Sequence, residues 1–93
     1  MATHDAELRL DGNAAAGWLA AIFGIEMTAA DVSCAGCGRL GPIGTLIQYG
    51  HDMGVVLRCP GRETAIVRLT RIRDRYWLDS RGATCLRVPA GPA

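Results

Sequence analysis

Four cysteines hold most of the reactive chemistry of this chain: Cys34, Cys37, Cys59 and Cys85. Cys34 and Cys37 stand at C-x2-C spacing, and the turn between them directs both sulfurs to one side, where a single metal ion can take both. Gly38 follows and lets backbone amides approach those sulfurs. A second turn opens on Cys59-Pro60-Gly61, 22 residues past Cys37. Arg62 stands where a fourth cysteine would complete a tetrahedral site. Arg cannot ligate, since it stays protonated and offers no lone pair. The spacing predicts three-quarters of a zinc ribbon, with Cys34, Cys37 and Cys59 as ligands and the fourth position to be filled otherwise.

Cys85, His51 and Asp52 are the candidates for that position. Cys85 falls in the last predicted strand, which an antiparallel meander can return beside the turns. As a free cysteine it also suits a plain buried site. His51 lies in a predicted loop before Cys59 and is largely neutral at its ordinary pKa, hence able to ligate. Asp52 beside it can orient the imidazole. Cys85 is preferred to His51, and water is the remaining choice; His4, near the start, is the weakest candidate. Two other readings stay open: no metal at all, or a redox dithiol formed by Cys34 and Cys37. The usual setting of such a dithiol is a helix N-terminus in an α/β fold, whereas this pair lies in a β-rich region.

No Ser-His-Asp spacing, phosphate loop or paired-carboxylate motif stands out. Three thiolates also donate enough charge to weaken a metal as a Lewis acid. The expectation is a protein that is not an enzyme.

The elements that must position the cysteines are legible in outline. Residues 1–9 read as a loose lead-in, and 10–27 as a helical region opened by Asp11 or Asn13 as cap. Within it Ala15, Trp18, Leu19, Ile22 and Phe23 share the i, i+3, i+4, i+7 face, so Trp18, Ile22 and Phe23 are expected against a sheet. Gly24 suits the C-terminal left-handed position. Strands are predicted over 28–33, 45–49, 55–59, 64–72, 76–79 and 83–88, with Gly41-Pro42-Ile43-Gly44 as a turn. In the strand over 45–49, Leu46 and Gln48 share one face, Ile47 and Tyr49 the other. The fold class is therefore a small α+β domain, one N-terminal amphipathic helix packed on an antiparallel β-meander of about five strands. It spans 1–93 as one domain, with the zinc-ribbon-like region over 28–88 and a disordered tail over 89–93.

Composition bounds the rest. The chain has 93 residues, 49% of them hydrophobic, enough for a core, though a domain this short gains from a metal staple. All ten basic residues are Arg, as a GC-rich genome favours. Residues 1–57 carry a net charge of −4 and residues 58–93 a net charge of +5, an asymmetry that marks either a solvated face or a polyanion-binding one. Arg68, Arg71, Arg73 and Arg75, with Tyr76 or Trp77 for stacking, form the candidate nucleic-acid surface; alternation places Arg71, Arg73 and Arg75 on one face of a single strand. Few aromatics and a net charge of only +1 weigh against that reading. No apolar run reaches the roughly 20 residues of a membrane span, and the N-terminus lacks the pattern of a secretory signal. A cytoplasmic location with an unidentified protein partner and no membrane is expected.

The motifs Leu10-Asp11-Gly12-Asn13-Ala14-Ala15-Ala16-Gly17, Cys34-Ala35-Gly36-Cys37-Gly38, Val56-Leu57-Arg58-Cys59-Pro60 and Tyr76-Trp77-Leu78-Asp79-Ser80-Arg81-Gly82 resemble a family of small uncharacterised actinobacterial proteins. The resemblance covers residues 10 to about 88. It implies a zinc-ribbon-like fold with two paired-cysteine turns, with Cys34, Cys37 and Cys59 as ligands and no assigned activity. Arg62 departs from that pattern.

Overall fold

Short aliphatic and β-branched runs separated by glycine-rich turns build eight strands among the described residues, arranged in two sheets. The structure is a computed structural model and describes residues 9–50 and 53–90. The strands are β1 (Arg9–Asp11), β2 (Asp31–Cys34), β3 (Leu40–Pro42), β4 (Ile47–Tyr49), β5 (Gly54–Arg58), β6 (Ala65–Ile72), β7 (Arg75–Asp79) and β8 (Ala83–Arg87). One helix, α1 (Ala16–Phe23), follows a 3-10 turn over Gly12–Ala15. The five-stranded sheet runs β1-β4-β5-β6-β7 and the three-stranded sheet β3-β2-β8, all pairings antiparallel. The fold is thus the expected α+β arrangement of one N-terminal helix with antiparallel strands, distributed over two sheets instead of one meander.

The differences have local causes. The helical region is shorter than 10–27. Leu10 and Asp11 pair with Gln48 and Ile47, and Asp11 then caps the 3-10 turn by accepting from the Asn13 amide at 3.1 Å. Gly24, at φ 76°, ends α1. Residues 28–30 are not strand; instead their carbonyls accept from the Ile43 and Gly44 amides (2.8 and 2.9 Å) and anchor a second 3-10 turn over Ile43–Thr45. Gly41 and Pro42 belong to β3, an edge strand where a proline's missing N–H costs no ladder bond. Arg9, read as lead-in, is in β1, while residues 1–8 lie outside the described residues. Residues 89–90 carry no regular structure, and 91–93 lie outside the described part.

One apolar cluster unites the parts: Leu46, Val55, Leu57, Ile66, Val67 and Leu69 from the large sheet and its approaches, Val32 from the small one, and Ala15, Leu19 and Met27 around the helix. The buried side of α1 is centred on Leu19. Trp18 and Ile22 pack against the cluster half-buried, while Phe23 is 36% exposed, so the helix meets the core turned away from Phe23. Alternation in β4 holds as expected, with Leu46 and Gln48 buried and Ile47 and Tyr49 half-buried. Cys34 and Cys59 belong to the same cluster.

Candidate metal centre

The two cysteine turns are built on one backbone plan. In the first, between β2 and β3, the Cys34 amide donates to the Arg39 carbonyl and the Gly38 amide donates to the Cys34 carbonyl, each at 2.8 Å. In the second, between β5 and β6, the Cys59 amide donates to the Thr64 carbonyl (2.9 Å) and the Glu63 amide to the Cys59 carbonyl (2.7 Å). Both turns put a left-handed residue at the same place: Gly38 at φ 77° and Glu63 at φ 58°. A non-glycine residue there is uncommon. Glu63 is held by the Arg58 guanidinium, which donates to its carbonyl at 2.9 Å, and by the Tyr49 hydroxyl on its carboxylate at 3.3 Å. Superposing the two plans aligns Arg62 with Cys37, and Arg62 is exposed.

The turns converge. The sulfurs of Cys34, Cys37 and Cys59 all lie within 4.8 Å of one another, and Cys37 Sγ to Cys59 Sγ is 3.6 Å. Tetrahedral zinc with bonds of about 2.3 Å separates its sulfurs by about 3.8 Å, so the donor set and spacing fit such an ion. Gly36 approaches the second turn so closely that a Cβ there would stand 2.5 Å from the Thr64 hydroxyl oxygen. Cys34 and Cys59 are fully buried, and Cys37 is exposed. The centre therefore joins the two sheets at one end and opens to solvent through Cys37.

Electrostatics favour one thiolate in the trio. Burial opposes ionisation of Cys34, but donation from the Cys37 and Gly36 amides, the Cys37 thiol and the Thr64 hydroxyl outweighs it, lowering its pKa from 9.0 to about 7. The Gly36 amide lies 3.3 Å from Cys34 Sγ. At Cys37 the Arg39 amide favours the thiolate, yet the Cys59 thiol, burial and the neighbouring Cys34 together push it above its ordinary value. A cation that replaces the shared protons meets a pocket already arranged for sulfur-borne charge.

Cys85 does not join the trio. β8 pairs with β2 so that Cys85 stands opposite Ser33, and an irregularity between Ser33 and Cys34 passes over Thr84 to set Cys34 against Ala83. The Cys85 side chain is exposed, beside the Arg87–Asp31 ion pair of 2.7 Å on the same small sheet. His51, Asp52 and His4 lie outside the described residues. Thr64 was not among the sequence candidates. Its signal is the five-residue offset Cys59–Thr64, which repeats Cys34–Arg39.

The arginines are distributed differently from the expectation. β6 ends at Ile72, and Arg73, at φ 58°, sits with Asp74 in the hairpin turn before β7. Arg71, Arg73 and Arg75 therefore cannot share one strand face. Arg71 pairs with Tyr76 and stacks 5.7 Å from its ring centroid, and Tyr76 meets Trp18 edge-on at 6.0 Å. Arg68 and Arg75 lie on the other face of the hairpin, with Trp77.

No helix among the described residues is long and apolar enough to cross a membrane. Comparison with curated proteins and with solved structures returns no match. Residues 3–91 match the model of a family of unknown function, DUF6510, and with nearly the whole chain covered the protein belongs to that family.

Proposed function

We propose that the protein is a non-catalytic, zinc-ribbon-like binding or regulatory module of the cytoplasm, in which Cys34, Cys37 and Cys59 hold a structural zinc ion. The observation that carries this reading is the repeated turn plan, which delivers three sulfurs from two sheets to one point. Paired cysteine turns between strands are the way zinc ribbons present thiolates to the ion. Since the turns come from different sheets, the ion acts as a cross-link that a short chain with a limited core can use. Three thiolates leave the zinc a weak Lewis acid, which favours a structural over a catalytic role. Among the described residues no further Cys, His, Asp or Glu joins the three sulfurs, which leaves the fourth position to His51, outside the described residues, or to water.

The redox alternative has one observation in its favour, the lowered Cys34 pKa. Against it, Cys34 is buried and the pair rides on a strand-to-strand turn with no helix start behind it. Native mass spectrometry with metal analysis, on protein purified without a histidine tag, tests the proposal. The expected result is one zinc per chain that disappears in Cys59→Ser. Protein that is metal-free when prepared in zinc-replete medium, and that takes up no zinc on titration, would overturn it.

A further inference from the structure

The outer face of the large sheet carries a feature that the metal centre does not use. Register pairs Arg68 with Asp79, Thr70 with Trp77 and Ile72 with Arg75, so all six side chains stand on one side of the β6–β7 hairpin. The opposite side gives Val67 and Leu69 to the core. Trp77 is 59% exposed and Ile72 53%. An indole standing out of a sheet gives up the burial that normally accounts for a tryptophan.

Around it runs a groove of about 600 Å3, lined by Arg68, Thr70, Trp77, Ser80 and Arg81 among others, and Arg68 and Arg81 also line its continuation toward Gly82. The groove is a shallow depression of the sheet face and not an enclosed cavity, a shape that suits a strand laid along the surface. Asp79 is the acid in the groove, and Arg81 clasps it at 3.0 Å. Arg68 and Arg75 have no ion pair among the described residues. The charge is thus positive on the face where the apolar ring is exposed, within residues 58–93, which hold eight arginines against three acids.

We infer that this face binds single-stranded nucleic acid, one base stacking on Trp77 while Arg68 and Arg75 take the flanking phosphates. A flat exposed indole pairs with any base plane, and a planar guanidinium matches phosphate oxygens in bidentate fashion. A duplex would present no free base plane to the ring. An acidic peptide would satisfy the arginines but leave Trp77 without a partner. The surface lies apart from the cysteine turns, and its function does not require zinc chemistry.

The test uses the full chain loaded with zinc and fluorescein-labelled oligothymidylate or oligouridylate of about 12 nucleotides, followed by anisotropy at about 50 and about 200 mM salt. Affinity is expected to fall with salt. Trp77→Ala should weaken it about tenfold at fixed salt, with Trp77→Phe retaining most of it. Arg68→Gln should flatten the salt dependence, and Arg71→Gln, on the other face, should change little. Zinc content should be the same in all variants, which separates this proposal from the metal reading. Circular dichroism checks that Trp77→Ala is folded, and Arg68→Gln supplies an independent reading if it is not. No anisotropy change at low salt would overturn the inference. So would an unaltered affinity in folded Trp77→Ala, or displacement of the oligonucleotide by polyglutamate as readily as by unlabelled oligonucleotide.

Discussion

Arg62 is the residue in which this chain departs most sharply from a four-thiolate site, and its place in the second turn makes the departure testable. It occupies the position that Cys37 holds in the first turn, with the same hydrogen bonds before and after it. Arg62→Cys should therefore raise zinc affinity at least about tenfold in competition with a chromogenic chelator. Affinity equal to the parent's would mean that the second turn does not aim its fourth residue at the trio. A second prediction concerns pH. Zinc binds thiolates, so affinity falls as pH falls. Cys34, acidified to about 7, is already ionised above that value and gives up a further proton on binding only below it. The loss of affinity per pH unit should thus be steeper from 7 to 6 than from 8 to 7, and an unchanged slope through pH 7 would show that Cys34 is not acidified. At this scale much was legible in the sequence: the trio follows from C-x2-C plus a Cys-Pro-Gly turn. The exclusion of Cys85 was not, because it rests on the pairing of Cys85 with Ser33, which puts its side chain on the face opposite Cys34, and spacing does not encode strand register.

Among the elements, α1 shows how far periodicity carries. The apolar stripe identified the helix and its buried side, but five residues over the nine positions 15–23 make too wide an arc to choose the centre. Packing selected Leu19, which is 1% exposed, and left Phe23 at the margin. Leu19→Ala should cost about 2–5 kcal/mol in chemical denaturation, and Phe23→Ala about 1 kcal/mol or less. A Phe23 cost equal to that of Leu19 would mean that the helix is rotated from the position described. The strands were legible where they are long and alternating, as in β5 and β6, and illegible where they are short. β1 and β3 span three residues each, and what makes them strands is a partner, β4 for one and β2 for the other. The turn before β8 gives a third case. The Gly82 carbonyl accepts from the Ala35 amide at 2.7 Å, and a Cβ on Gly82 would run into the Ala65 carbonyl. The glycine there is required by a distant strand, which no local pattern announces. Gly82→Ala should destabilise by about 1–3 kcal/mol.

Across the whole molecule, the two sheets share one core and come together at the cysteine turns. Cys34 closes β2 in the small sheet, Cys59 follows β5 in the large one, and the two turns approach closely at Gly36 and Thr64. A zinc ion held there binds the folded chain and not the separated sheets, so its removal should be felt by both turns as a unit. A ligand present at about 1,000 times its dissociation constant contributes about 4 kcal/mol, and for a domain of this size each kcal/mol shifts Tm by about 4–8 °C. Chelation should therefore lower Tm by more than about 10 °C. Hydrogen exchange should report where: the amides of Gly38 and Cys34 in the first turn, and of Glu63 and Cys59 in the second, are expected to lose protection together, ahead of Val55, Leu57 and Leu69 in the sheet centre. Fast exchange at one turn with the other still protected would mean that the ion is not shared between them. Equal Tm with and without chelator, in protein shown to carry zinc beforehand, would mean that the core alone holds the sheets together and that the cysteine turns are kept for something other than stability.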